Sequence, residues 1–207
     1  MSPGLVALAC LLGAYLAGSV PTGVLLGRLA GRDPRTAGSG NIGATNVTRT
    51  MGKAFGAVTL LVDVVKGLVP TLVAAEQGVP WLAAGAGLLA TLGHCYPVWL
   101  RFRGGKGVAT AFGAMAALAW PVAVVAALIW VVAAILTRTP AAGSLAAAVA
   151  FVGLSFWDAR PHETQLLALL LALLIVLRHQ SNITQMKARP RPPRTRRTSK
   201  PNQRSKP

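Results

Sequence analysis

Gly93-His-Cys-Tyr-Pro-Val-Trp-Leu-Arg-Phe-Arg-Gly-Gly-Lys-Gly-Val-Ala-Thr110 places a histidine, three cations and three clustered glycines between two strongly apolar stretches. Glycine lets backbone N–H groups approach an oxyanion closely, and Gly104, Gly105 and Gly107 surround Lys106. The stretch therefore predicts an anion site set against a membrane. It is not a nucleotide P-loop, which needs a glycine five positions before Gly105 and a Ser or Thr after Lys106; Leu100 and Gly107 stand there instead. An ordinary juxtamembrane basic loop would account for Arg101 and Arg103, but not for the glycines around Lys106.

The surrounding chain fits a membrane. Of 207 residues, 53% are apolar and only 13% charged, with a mean hydropathy of +0.54, and the apolar residues fall in long runs. The net charge of +16 raises the question of nucleic acid. No nucleic-acid motif is present, however, and the cations sit in the gaps between apolar runs or from Lys187 onward. A positive-inside bias explains them. Cys10 and Cys95 have neither metal-ligand spacing nor a bridging framework and read as free thiols. The N-terminus lacks a basic n-region, so the first apolar segment is expected to stay as an anchor.

Taken in order, Leu5 to Leu29 is long enough to span, with a kink expected at Pro21. Arg28 to Lys53 carries five cations and one acid, Asp33, and is expected to face the cytoplasm. It contains Gly38-Ser-Gly-Asn-Ile-Gly-Ala-Thr-Asn-Val-Thr-Arg49, where glycines alternate with side chains able to cap a helix and hold an anion. Val58 to Ala75 is the second span. Asp63 and Lys66 share one of its faces, which calls for an ion pair, structural or functional. A third span runs from Val79 to the central motif. Val108 to Leu136 would reach roughly 43 Å as a straight helix, well beyond a hydrocarbon core of about 30 Å, and is expected to turn at Trp120-Pro121. Ser144 to Trp157 and Thr164 to Leu177 form a final pair.

The expected fold class is thus an all-α integral membrane protein of about seven transmembrane helices, its polar loops gathered on the cytoplasmic side by parity. Residues 1–186 form the membrane domain and 187–207 a disordered polybasic tail able to touch anionic lipid. At the end of the seventh helix, His179 and Asn182 face the other two loops.

Three segments carry a resemblance to a known family. Gly38 to Arg49 resembles, without departure, the first motif of the bacterial acyl-phosphate:glycerol-3-phosphate acyltransferases, the PlsY family, and Gly93 to Thr110 resembles the second. His179, Asn182 and Ile183 resemble the third, which then departs at Gln185-Met186 and Ala188-Arg189-Pro190. After Arg138 the family commonly shows an aromatic and two serines; Thr139 and Ala141 stand where the aromatic and the first serine would be, and only Ser144 matches the second.

The resemblance implies transfer of a fatty acyl group from acyl phosphate to the 1-hydroxyl of glycerol 3-phosphate, giving lysophosphatidic acid and phosphate in the bacterial cell membrane. It implies no metal and no cofactor, and no covalent enzyme nucleophile, since the mixed anhydride is already activated. Partners would be the two substrates, membrane lipid and an upstream enzyme producing the acyl phosphate, with no nucleic acid. By motif position His179, Asn182 and Ser39 are expected to be catalytic. Ser39, Asn41, Thr45, Asn46, Arg49, Lys66, His94, Gly104, Gly105, Lys106, Gly107 and Ser144 are expected to bind substrate and phosphate. The proton acceptor is either His179 or an oxygen of the acyl phosphate itself.

Rival classes are weaker. The His-x-x-x-x-Asp pair of other acyltransferases is absent, because Trp99, Leu167 and Thr184 stand five residues after His94, His162 and His179. A metal-binding phosphatidyltransferase lacks its clustered aspartates. A small transporter for an anionic solute predicts charged loops reaching the membrane from both sides, whereas parity gathers them on one.

Overall fold

The computed structural model describes residues 2–188, leaving the polybasic tail beyond Ala188 outside the described residues. Every regular element among them is helical. They are α1 (Pro3–Ser19), α2 (Thr22–Leu29), α3 (Ala44–Met51), α4 (Lys53–Ala75), α5 (Pro80–Cys95), α6 (Val108–Thr137), α7 (Pro140–Trp157), α8 (His162–Arg178) and α9 (Gln180–Ala188). Lys187 and Ala188, expected in the tail, are the last residues of α9.

Apolar side chains point outward along most of these helices: Leu8, Leu12, Leu61, Leu128, Val149 and Leu173 are all exposed. An aqueous fold does not leave so much large aliphatic surface open, whereas a bilayer-spanning one must. By length and composition α4, α6 and α7 qualify as spans, and the count rises to five if α1 with α2, and α8 with α9, each form one bent span. The chain is a multi-pass membrane protein.

The expected kink falls where the sequence placed it. Pro21 lies in the break between α1 and α2, which are bent by 41°. The loop Glu76-Gln77-Gly78 separates α4 from α5 as expected. Four helices start earlier than hydropathy suggested, α1 and α8 by two residues and α4 and α7 by more. α4 begins at Lys53 rather than Val58, and α7 at Pro140 rather than Ser144, because Gly52 and Thr139 break the chain just before them. In α6 the backbone leaves the helical region at Ala119 (φ −150°, ψ 64°), two residues before Pro121.

Helices meet where side chains are absent. A Cβ on Gly67 of α4 would overlap the Thr110 carbonyl of α6, and one on Gly113 of α6 would overlap the Val64 carbonyl of α4. Gly18 and Gly93 relate α1 to α5 in the same reciprocal way. With no hydrophobic effect between helices in lipid, such close backbone approach supplies the packing. A hydrophobic core, from Ala111 and Met115 through Phe151 to Leu171 and Ile175, joins α6, α7 and α8. This frame brings the α3 loop, the link from α5 to α6 and the end of α8 together.

Candidate active site

The first loop is folded around one side chain. Asn46, 2% exposed, accepts from the Ser39 backbone N–H at 2.8 Å through Oδ1, and its Nδ2 lies 2.9–3.1 Å from the carbonyls of Pro34, Ala37 and Asn41. Asn41 Oδ1 accepts from Gly43 N–H at 3.0 Å, turning the chain into α3, the short helix that carries Arg49. The motif's polar residues thus divide into those that build the loop and those that it presents.

The link from α5 to α6 returns through a 3-10 turn at Val98–Leu100 and two left-handed residues, Arg101 and Phe102. Gly104 N–H then donates to Cys95 O at 3.1 Å and Gly105 N–H to His94 O at 3.0 Å. Both of these N–H groups, expected to hold a phosphate, are engaged within the loop. Glycine is needed there for space, since a Cβ at 104 would overlap the His94 carbonyl and one at 105 the His94 Nε2. Gly107 has φ +78° and precedes α6, whose free first-turn N–H groups make its start electropositive.

At the far end, Arg178 donates to the carbonyls of Gly105 (3.0 Å, Nε) and Gly104 (3.1 Å), and lies 5.0 Å over the Tyr96 ring. His179 is buried, with Nδ1 2.8 Å from the Ile175 carbonyl. A carbonyl only accepts, so Nδ1 carries the proton and Nε2 of the neutral ring is the acceptor. Asn182 accepts a hydrogen bond from Lys106 Nζ through Oδ1. Partial burial and the Arg178 charge hold the Lys106 ammonium below the ordinary lysine pKa.

These pieces enclose a polar cavity of about 730 Å³. Ser39, Asn41 and Arg49 line it from the first loop, Gly104 and Lys106 from the second, and Arg178 and Asn182 from the third. Residues numbered from 39 to 182 converge here on two Arg, one Lys and neutral amides, with no carboxylate among the described lining residues: a site for anions.

Other expected residues stand outside that lining. Asn46 and Gly105 lie beneath the two loops, Thr45 is exposed on α3 and Gly107 caps α6. Ser144 donates to Pro140 O at 3.0 Å and accepts from Trp130 Nε1 at 3.2 Å, which ties α7 to α6. Lys66 is 7% exposed, 2.8 Å from Asp63 and 2.9 Å from the Val20 carbonyl, while His94 lies 3.6 Å from Asp63. Lys66 and His94, expected to bind phosphate, are both buried among protein groups and do not line the cavity. His179 lies beside the lining residues Arg178 and Gln180. Sequence reasoning missed Arg178 as a site residue; a lone arginine at a helix end reads as a charge that caps the last carbonyls.

A family described as Glycerol-3-phosphate acyltransferase matches residues 8–189. The chain is 48% identical over 178 residues to a glycerol-3-phosphate acyltransferase of Myxococcus xanthus, covering 84% of this chain and 93% of that one. It is 49% identical over 174 residues to one of Roseobacter denitrificans, covering 84% and 86%. Among solved structures, the glycerol 3-phosphate form of PlsY (YgiH), an integral membrane glycerol 3-phosphate acyltransferase, superposes with a TM-score of 0.86 at 37% identity, covering 88% of this chain and 92% of that one. Its lysophosphatidic acid form superposes with a TM-score of 0.84 at 36% identity and the same coverage. On sequence, fold and the converging motifs together, this chain belongs to the glycerol-3-phosphate acyltransferase family.

Proposed function

We propose that this protein transfers a fatty acyl group from an acyl phosphate to the 1-hydroxyl of glycerol 3-phosphate, forming lysophosphatidic acid and inorganic phosphate. The observation that carries the reading is the meeting of Arg49, Lys106 and Asn182, one from each motif, at one anion-lined cavity. Both substrates carry phosphate. The relatives are named for glycerol 3-phosphate, and the PlsY structures are of its glycerol 3-phosphate and lysophosphatidic acid forms.

Arg49 offers a planar fork and Lys106 a point charge for phosphate, with Ser39 and Asn41 as neutral partners. Asn182 and His179 orient the attacking hydroxyl. Its oxygen attacks the acyl carbonyl, the bond from carbonyl carbon to phosphate oxygen breaks, and phosphate departs. The hydroxyl proton passes to His179 Nε2 or to the departing phosphate. Catalysis then rests on positioning and on charge set in advance, as an activated anhydride requires.

The same reading gives a topology of seven crossings with the cavity facing the cytoplasm. The end of α5, the start of α6 and the end of α8 meet at the cavity. α8, α7 and the second half of α6 alternate in direction through connections of four residues and two. Both ends of α6 therefore belong on the cavity side, which Ala119 permits by folding the helix back. Phe112 and Trp130 of α6, about 27 Å apart along a straight rod, touch Phe151 and Ser144 of α7. The five cations of the first loop support a cytoplasmic face. An upstream enzyme that makes acyl phosphate completes the reading.

The test uses purified protein in detergent with glycerol 3-phosphate and either palmitoyl phosphate or palmitoyl-CoA, beside Lys106→Ala. Lysophosphatidic acid from palmitoyl phosphate alone, lost in the variant, is the expected result. Product from palmitoyl-CoA would overturn the donor assignment.

A further inference from the structure

Asp63, Lys66 and His94 form a buried cluster of ionisable side chains inside the helix bundle, outside the lining of the cavity. Its cost in a bilayer demands a return. Each member is held by a different element. Lys66 Nζ bonds the Val20 carbonyl at 2.9 Å, in the break before Pro21, and Thr22 Oγ1 donates to Asp63 Oδ1 at 3.3 Å from the other side of that break. Asp63 Oδ1 also takes Lys66 at 2.8 Å and faces His94 Nδ1 at 3.6 Å. The opposite edge of the imidazole lies against Gly105, where a Cβ would overlap Nε2. The His94 carbonyl in turn accepts the Gly105 N–H at 3.0 Å. A continuous line of contacts therefore runs from the break in the first span, through α4 and α5, to the residue preceding Lys106.

We infer that Asp63, Lys66 and His94 are positioning residues: anchored to the break between α1 and α2, they fix the His94 ring as the floor under Gly105 and so set where Lys106 stands in the cavity. None of the three lines the cavity, so each acts through the loop. The inference rests on the reading of that cavity as the phosphate-substrate site.

The test is a rescue experiment on the full chain in detergent, read by glycerol 3-phosphate binding and by steady-state acylation with palmitoyl phosphate. Gly105→Ala is expected to lose about a hundredfold in kcat/KM, the size of loss that misplacement by about an ångström brings. Gly105→Ala with His94→Ala is expected to regain about tenfold over Gly105→Ala, since the new methyl enters space vacated by the ring. His94→Ala alone should raise KM for glycerol 3-phosphate more than it lowers kcat. Asp63→Asn, which keeps the shape but removes the carboxylate charge that faces His94 and pairs with Lys66, should carry the same KM signature and keeps the inference falsifiable if Gly105→Ala does not fold. A double variant no better than Gly105→Ala, or a kcat loss at unchanged KM in His94→Ala or Asp63→Asn, overturns the positioning role while the functional reading stands. Wild-type protein that neither binds nor acylates glycerol 3-phosphate overturns both.

Discussion

Asn46 holds the backbone of Ser39: its Oδ1 accepts the Ser39 N–H at 2.8 Å while its amide donates to carbonyls on the same loop. With the polar atoms of its side chain committed inside the protein, Asn46 shapes the loop that presents Ser39 to the cavity. Asn46→Ala leaves a buried carbonyl at Pro34 without its partner and should cost about 2 kcal/mol. The melting temperature in detergent should fall, and glycerol 3-phosphate KM should rise, because Ser39 and Asn41 lose their placement. Asn46→Asp removes the donors and adds a negative charge beside an anion site, so binding should fall further than in the alanine variant. Equal melting temperatures for wild type and both variants would refute the assignment.

Lys106 gives a pH dependence with a definite sign. Burial, followed by the Arg178 charge, holds its pKa below the ordinary lysine value of 10.5. On the proposed reading, phosphate binding through the ammonium is present below that lowered pKa and is lost as pH rises through it. The alkaline rise in glycerol 3-phosphate KM should therefore begin below the range of a free lysine. Lys106→Arg titrates far higher and should move this rise upward. Folding stability responds oppositely. The folded chain holds this proton less tightly than the unfolded one, so the Lys106 contribution to stability increases across the same window. An alkaline limb identical in wild type and Lys106→Arg would remove Lys106 from phosphate binding.

How far the sequence reached depended on whether a feature is local. The break at Pro21, the loop at Glu76 and the end of α8 before His179 follow from nearby residues, and the structure places them as expected. The short polar helix α3 has no apolar run to announce it. The commitment of the Gly104 and Gly105 N–H groups was not legible either, because a glycine signals room for an approach without naming what approaches. Arg178 reaches carbonyls 73 and 74 residues away, and Lys66 one 46 residues away. A side chain's chemistry states what it can donate, and only the fold states to whom.

Helix spacing offers a test of stability apart from chemistry. Gly67→Ala and Gly113→Ala each put a methyl into the backbone of the facing helix, and should each cost about 1–3 kcal/mol by forcing α4 and α6 apart. Gly13 in α1 has open space around its Cβ position, so Gly13→Ala should be neutral or stabilising by about 0.5–1 kcal/mol. Thermal unfolding in one detergent ranks the three, and equal melting temperatures would contradict the close approach of α4 and α6.

Arg178 separates shape from charge. Its guanidinium bonds two successive carbonyls of the loop that carries Lys106 while lying over Tyr96, a geometry that a planar fork can satisfy and an ammonium cannot. Arg178→Lys keeps the charge at the cavity edge but gives up the paired contact. If Arg178 acts by holding the loop, the lysine variant should resemble Arg178→Gln, each losing about a hundredfold in kcat/KM through misplacement of Lys106. If it acts chiefly as a cation toward phosphate, lysine should restore most of what glutamine loses. The KM for glycerol 3-phosphate in the two variants, measured side by side at low ionic strength, decides between them, and the two carbonyl contacts favour the first outcome.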